Sequence, residues 1–435
     1  LALIDIAKMI DRRQKATPPS PSRGESRKHR EALLLLSSSG GEQRLYQKGL
    51  ALMASVAVNL FCLSFPAVAV PPLQAVSPNQ LQVSESDTIG LDAQIWGENG
   101  KPGDKESLLK SIDYSLRYLD TQAAASAYSR YQVAGITRDR VRRSLARFRQ
   151  LVVSSTTPSQ LQQSVKREFV FYKSTGKDGK GTVAFTGYFE PTYAASRTPN
   201  SEYRYPLYRV PPNIGSWPKP HPTRLQLEGE DALQGSKGLL RGLELVWLRD
   251  RFQAFLVHVQ GSARLQLTDG GVMTIGFAGK TSQGYTGVGR ELVKDGKFTL
   301  EQLTLPKLTE YFTNFPADMN KYLPKNQSFV FFRDTNGAPA TGSIGVPVTA
   351  ERSIATDKSL MPPGALALIS TKLPYPNATG KLEQIAVDRY VLDQDTGGAI
   401  KGAGRVDVFM GTGNLAGDRA GYINSTGELY YPLLK

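Results

Sequence analysis

One cysteine and three histidines in 435 residues leave little material for several kinds of chemistry. Cys62 lies in an apolar run expected to be removed from the mature chain, which excludes disulfides and a cysteine-based zinc site. His29 falls in the same leader, so only His221 and His258 remain for a Ser/His triad or a histidine-rich metal centre. Any proton chemistry therefore falls to carboxylates, and neither a metal nor a cofactor is expected. Acidic residues are also few, 39 against 53 Lys and Arg, for a formal charge of +14. Beyond residue 69 the balance is 43 against 34, and the excess is spread along the chain. Net charge alone does not choose between nucleic acid and an anionic envelope polymer as partner.

What is present describes an ordinary globular chain, 40% hydrophobic and 21% charged, with 41 Gly and 27 Pro promising many turns. Residues 11–44 are polar and basic and read as disordered. Arg44 and Lys48 then precede an apolar stretch over 49–65 and the small-x-small triplet Ala67-Val68-Ala69. That order is a secretory signal, and the stretch is shorter than the ~20 residues of a spanning helix. Residues 1–69 are therefore expected to be a leader, and the Pro/Gly/Ser-containing 70–103 a linker. From 104 to about 170 the period is helical, with Leu108, Leu109, Ile112 and Leu116, then Val141, Leu145, Phe148 and Val152. Thr137 is the expected N-cap of the second of these helices. Strand-like runs follow at 183–189, 255–259, 329–332, 365–369, 384–387 and 406–409, and their brevity suggests barrels.

Five segments carry the chemistry. Phe185-Thr186-Gly187-Tyr188-Phe189-Glu190-Pro191 comes first, then Val259-Gln260-Gly261-Ser262-Ala263-Arg264. Gly276-Phe277-Ala278-Gly279-Lys280 runs on to Gly289-Arg290. The tail holds Gln394-Asp395-Thr396-Gly397-Gly398-Ala399-Ile400-Lys401-Gly402 and Asp407-Val408-Phe409-Met410-Gly411. In this order, over about 185–433, the set resembles the MltA family of membrane-bound lytic murein transglycosylases, with its C-terminal 3D domain.

The resemblance implies a mainly β fold: a double-psi β-barrel, a second inserted barrel-like β-domain and a helical N-terminal region. On that pattern 104–190 holds the helices and first barrel strands, 191–335 the inserted β-domain, and 336–435 the rest of the barrel. It implies an exported enzyme of the periplasm or outer membrane, a monomer that binds peptidoglycan glycan strands and not nucleic acid. Wall-synthesis or division proteins are the partners it would suggest. The implied reaction cuts the β-1,4 bond between N-acetylmuramic acid and N-acetylglucosamine without water, leaving 1,6-anhydromuramyl ends. The family's acid falls on Asp407.

The residue types suit that chemistry. Hydrolytic glycosidases use two carboxylates, whereas internal attack by the C6 hydroxyl holds no water and lets one carboxyl act as acid and then base. The acid step needs a carboxyl still protonated near neutral pH, which an apolar setting favours. Val406 and Val408 flank Asp407, but strict alternation turns them to the opposite face, so that setting must come from elsewhere in the fold. Asp395 is the rival carboxylate, and an Asp-Thr-Gly turn that binds backbone N–H groups is its preferred role. Thr396, Gly397, Gly398, Lys401, Tyr188, Gln260, Gly261, Ser262 and Tyr285 are the candidate substrate contacts. Turn geometry, strand ends and core packing would account for the same residues. An aspartic protease would need a second Asp-Thr-Gly, and Asp334-Thr335-Asn336 does not supply one. The alternative reading is a wall-binding barrel without catalysis.

Overall fold

The computed structural model of the protein describes residues 71–76, 89–98, 100–300 and 302–435. The expected leader and signal at 1–69, and part of the 70–103 segment, lie outside the described residues. Among the described residues no helix is long and apolar enough to cross a membrane.

Helices Lys105–Leu119, Gln122–Tyr128, Arg138–Ser154 and Pro158–Glu168 occupy the region of helical period. Thr121, Thr137 and Thr157 start the last three, each hydroxyl accepting a first-turn backbone N–H that the helix itself cannot satisfy. Thr137 serves Arg140 N at 3.2 Å. Leu108 and Ile112 on the first helix and Val141, Leu145, Phe148 and Val152 on the third are buried, while Leu109 and Leu116 are only partly covered.

The strands run β1 (Leu73–Val76), β2 (Gly97–Glu98), β3 (Lys101–Pro102), β4 (Phe169–Ser174), β5 (Val183–Glu190) and β6 (Thr192–Ser196). Then come β7 (Tyr205–Tyr208), β8 (Glu244–Leu248), β9 (Ser262–Leu267), β10 (Val272–Lys280) and β11 (Val330–Asp334). The last five are β12 (Ser353–Ala355), β13 (Leu366–Pro376), β14 (Leu382–Asp395), β15 (Arg405–Thr412) and β16 (Ser425–Leu434). Six of them close into a barrel in the order β5-β16-β13-β14-β12-β15, with β15 pairing back to β5. The pairs β5–β15 and β12–β14 are parallel and the other four antiparallel. Val183, Phe185, Val406 and Val408 lie in the core cluster, leaving the alternate residues of β5 and β15 for the opposite face.

Part of the stretch read as linker is built into this body. β1 pairs antiparallel with β4, and the buried Asp92 forms ion pairs with Arg352 and Arg389. Its anchors are backbone pairing, charge and the buried Leu73, Ile89 and Ile95, which are too widely spaced to show a period.

The chain leaves the barrel after β5 and returns at β12. Between them lies a second sheet, in the order β11-β10-β9-β6-β8-β7. Its edges meet at a parallel bridge between Arg209 and Phe332, so this sheet is also nearly closed. Residues 255–259, expected as a strand, are instead part of the helix Arg251–Gln260. Asp250 caps it by accepting Gln253 N, and Gly261, at φ 83°, ends it in the left-handed conformation. Phe252, Phe255, Leu256, Val257 and His258 are all buried, so the helix is apolar nearly all round and a short apolar run cannot show its period.

Helix Asn414–Tyr422 follows β15 and packs on β5. A Cβ on Gly187 would stand 2.8 Å from Ala420 Cα, and one on Gly417 would stand 2.7 Å from the Phe189 ring. The two glycines thus let the helix press against the strand whose other face carries the candidate site.

Candidate functional site

Four residues stand in one row across neighbouring strands. Asp395 on β14 pairs with Ala355 on β12, Ala355 with Asp407 on β15, and Asp407 with Thr186 on β5. Strands in a sheet lie about 4.8 Å apart, so the two aspartates stand roughly 10 Å apart at their Cα atoms. Asp407 is 4% exposed. The Thr186 hydroxyl donates to its Oδ1, and Arg405 holds that hydroxyl from the other side, Nη2 to Oγ1 at 2.9 Å. Oδ2 has no hydrogen bond within the described residues. The side chain is buried between β5 and β12, not among the flanking valines.

Tyr188 is two residues beyond Thr186, on the same face. It pairs in register with Phe409, the rings 5.1 Å apart. Its ring is half-buried, and its hydroxyl is shielded from solvent and interacts with the Asp395 carboxyl. Burial pushes the phenol well above its ordinary range, and the charges of Asp395 and then Asp407 add to that. The hydroxyl therefore stays protonated beside two carboxylates.

Asp395 takes the turn role expected of it. Its Oδ1 accepts the N–H groups of Thr396 and Ser343, both at 2.8 Å. Burial still raises its pKa, against the pull of those two N–H groups, of Tyr188 and of Lys358. The Thr396 hydroxyl donates to Thr356 O at 2.8 Å, and Ile400 N donates to Gly397 O, which closes the turn. Gly402 is the turn's left-handed residue, at φ 81°, whereas Gly397 and Gly398 have ordinary φ. Gly398 matters for contact: a Cβ there would lie 3.3 Å from Tyr285 Cβ, so this loop meets the 280–285 loop of the second sheet. Lys401 is exposed, and its charge helps hold Asp357 below the usual carboxylate range.

Gln260, Gly261 and Ser262 lie apart from the row. Gln260 Oε1 accepts Phe189 N at 3.1 Å, Gly261 is the helix cap, and Ser262 opens β9 opposite Gly276. They join the end of β5 to the second sheet, which is the framework role their sequence context equally allowed.

Thr186 was legible only as a member of a quoted segment and Arg405 fell between two of them, because a strand threonine and a lone arginine carry no signal until register places them. The cluster under Asp395 has no sequence signature either. Lys358 pairs with the buried Asp393, which also accepts from Thr356 and Tyr431. Gln394 is fully buried and bonded to Ser111, Ser115 and Ser353. Among the described residues no three His, Cys, Asp or Glu side chains converge so as to hold a metal ion.

Family models place this geometry. The MltA specific insert domain matches residues 184–333, and the 3D domain matches 352–433. Membrane-bound lytic murein transglycosylase A of Escherichia coli K12 is 31% identical over 261 residues, 60% of this chain and 68% of that protein. The protein of the same name from Vibrio cholerae is 32% identical over 257 residues, 59% of this chain and 66% of its own. The crystal structure of E. coli MltA with bound chitohexaose has a TM-score of 0.63 at 24% identity, over 84% of this chain and 95% of that one. A membrane-bound lytic murein transglycosylase from Agrobacterium tumefaciens has a TM-score of 0.62 at 24% identity, over 83% and 97%. These two likenesses are of fold. The barrel-and-insert architecture, both family models and the E. coli relative agree: the chain belongs to the MltA family.

Proposed function

We propose that this protein is a lytic transglycosylase of peptidoglycan in which Asp407 acts first as general acid and then as general base. The observation that carries the reading is the state of the Asp407 carboxyl. It is nearly buried, with Oδ1 held by Thr186 and Oδ2 left for a ligand. The next carboxylate in the row, Asp395, is occupied by two backbone N–H groups. One working carboxyl fits a reaction whose nucleophile is the sugar's own hydroxyl. Oδ2 gives its proton to the glycosidic oxygen as the bond to C1 of N-acetylmuramic acid breaks. The resulting carboxylate takes the C6 hydroxyl proton as O6 closes on C1, so the acid is restored and no water enters.

In this reading 104–190 and 336–435 supply the barrel with its helices, and 191–335 the inserted domain. The strand lies along the face bearing Tyr188, Asp407 and the Gly398–Tyr285 contact. Tyr188 and Tyr285 offer rings to the sugars, and Lys401 a cation to a lactyl or stem-peptide carboxylate. The relatives are named membrane-bound and act on murein, and with the signal-like order at 44–69 this favours a protein exported to the periplasm or held at the outer membrane.

The test is mass spectrometry of sacculi digested by the wild type and by Asp407→Asn. Anhydro ends from the wild type and none from the variant are expected. Reducing ends would overturn the transglycosylase reading, and full activity of the variant would remove Asp407 from its role. Sedimentation with sacculi and no release of muropeptides would favour a binding protein.

A further inference from the structure

One cavity lies away from the Asp407 face. It holds about 470 Å³ and lies where the end of β5 passes into β6, against the helices Arg251–Gln260, Leu305–Asn314 and Asn414–Tyr422. Phe189 lines it, and Phe189 faces away from Thr186 and Tyr188 by strand alternation. The cavity therefore opens on the back of the strand whose front carries the candidate site.

Its lining is unusual for this chain. Rings of Phe189, Tyr193, Phe252 and Phe312 meet two carboxylates, Asp250 and Asp418, and no Lys or Arg contributes to the wall. In a protein of net charge +14 an anionic pocket without a cation stands out. Asp418 is exposed and makes no ion pair within the described residues, and Asp250 is occupied only as the cap of its helix. The Asp250 charge is felt inside the pocket, since it adds to burial in raising the Tyr193 phenol. A wall of nearly buried aromatic side chains with carboxylates at the rim suits a cation carried on an apolar arm. A volume of this size accepts one side arm or small molecule and not a helix.

We propose that this cavity binds an alkylammonium group carried on an apolar arm, at a site distinct from the glycan-cleaving face. The ammonium sits between Asp250 and Asp418, and the arm lies against Phe252 and Phe312. Such an arm comes either as a small free amine or as the side arm of a diamino acid in a stem peptide.

Calorimetric titration of the full chain tests this without any requirement for glycan cleavage, so it succeeds or fails apart from the proposed reaction. The probes are n-butylammonium and 1,5-diaminopentane, with n-butanol and butyrate as the neutral and anionic matches. Saturable binding of the two amines alone is expected, weakened about threefold by Asp418→Asn, as loss of an exposed charge contact implies. Equal binding of n-butanol, or amine binding unchanged in both Asp418→Asn and Phe312→Leu, would overturn the site. A tripeptide ending in a diamino acid, tested with its amine free and N-acetylated, separates the sources. Tighter binding than the diamine, abolished by acetylation, assigns the stem peptide; binding of the diamine alone assigns a free amine.

Discussion

A single side chain bears most of the proposed chemistry, and its neighbours decide how cleanly it can be tested. Asp407→Asn keeps shape and the Thr186 contact while removing the transferable proton. It is expected to cut muropeptide release by roughly 10²–10⁴-fold with an unchanged circular dichroism spectrum, the range for losing a positioned acid–base group. Tyr188 presents a different case. Its shielded hydroxyl interacts with the Asp395 carboxyl, so Tyr188→Phe removes a contact to a buried carboxyl group. A loss of about 1 kcal/mol in unfolding free energy is expected by urea titration, the scale of a buried hydrogen bond. A gain would mean that the hydroxyl is unsatisfied in the fold. The aspartate itself was legible from the order of motifs around it. Its dependence on Thr186 and Arg405 was not, because those contacts cross from β5 to β15 and belong to register.

Among the elements, the barrel strands and the helices of 104–170 were legible, and the expected strand at 255–259 failed for a physical reason. The helix Arg251–Gln260 is buried on nearly every side, so its apolar residues show neither a period of two nor one of 3.6. Only its ends distinguished it, with Asp250 at the N-cap and Gly261 beyond the last turn. Those ends can be weighed. A Cβ at Gly261 would meet nothing within 4 Å, so Gly261→Ala isolates the backbone cost of φ 83°. That substitution is expected to lower stability by about 1–2 kcal/mol. Gly187 has an ordinary φ, but its added Cβ would strike the Ala420 backbone and Ile423, so Gly187→Ala should cost more than Gly261→Ala through sterics alone and lower activity with it. Equal losses in parallel urea titrations would show that the Asn414–Tyr422 helix yields to the new methyl.

Across the whole molecule, a network of buried charge ties the segment before the first helix to the barrel. Arg352 pairs with Asp92 and Asp104, Arg389 with Asp92 and Glu98, and Glu351 with Lys101 and Arg419. This makes stability depend on pH in two opposed ways. Burial would raise the Glu351 carboxyl, but Arg419 and Lys101 overcome it and hold the group far below its ordinary range. Its contribution is therefore present above about pH 4.5 and is lost as pH falls further. Asp388 behaves in reverse. Burial pushes it up to about 6, against Gly90 N donating at 3.1 Å. The folded state then holds a proton that the unfolded chain releases, so this term is fully favourable below about pH 4 and fades as pH rises through about 6. Asp388→Asn should accordingly be more stable than the wild type at pH 7, on the order of 2–3 kcal/mol for a shift of this size. The advantage should shrink to about 0.5 kcal/mol near pH 4, where the folded carboxyl is neutral and the unfolded one is about half ionised. Urea titrations of both proteins from pH 4 to 7 read this directly. A difference that is constant with pH would mean that Asp388 is charged in the fold throughout, held by the N–H of Gly90.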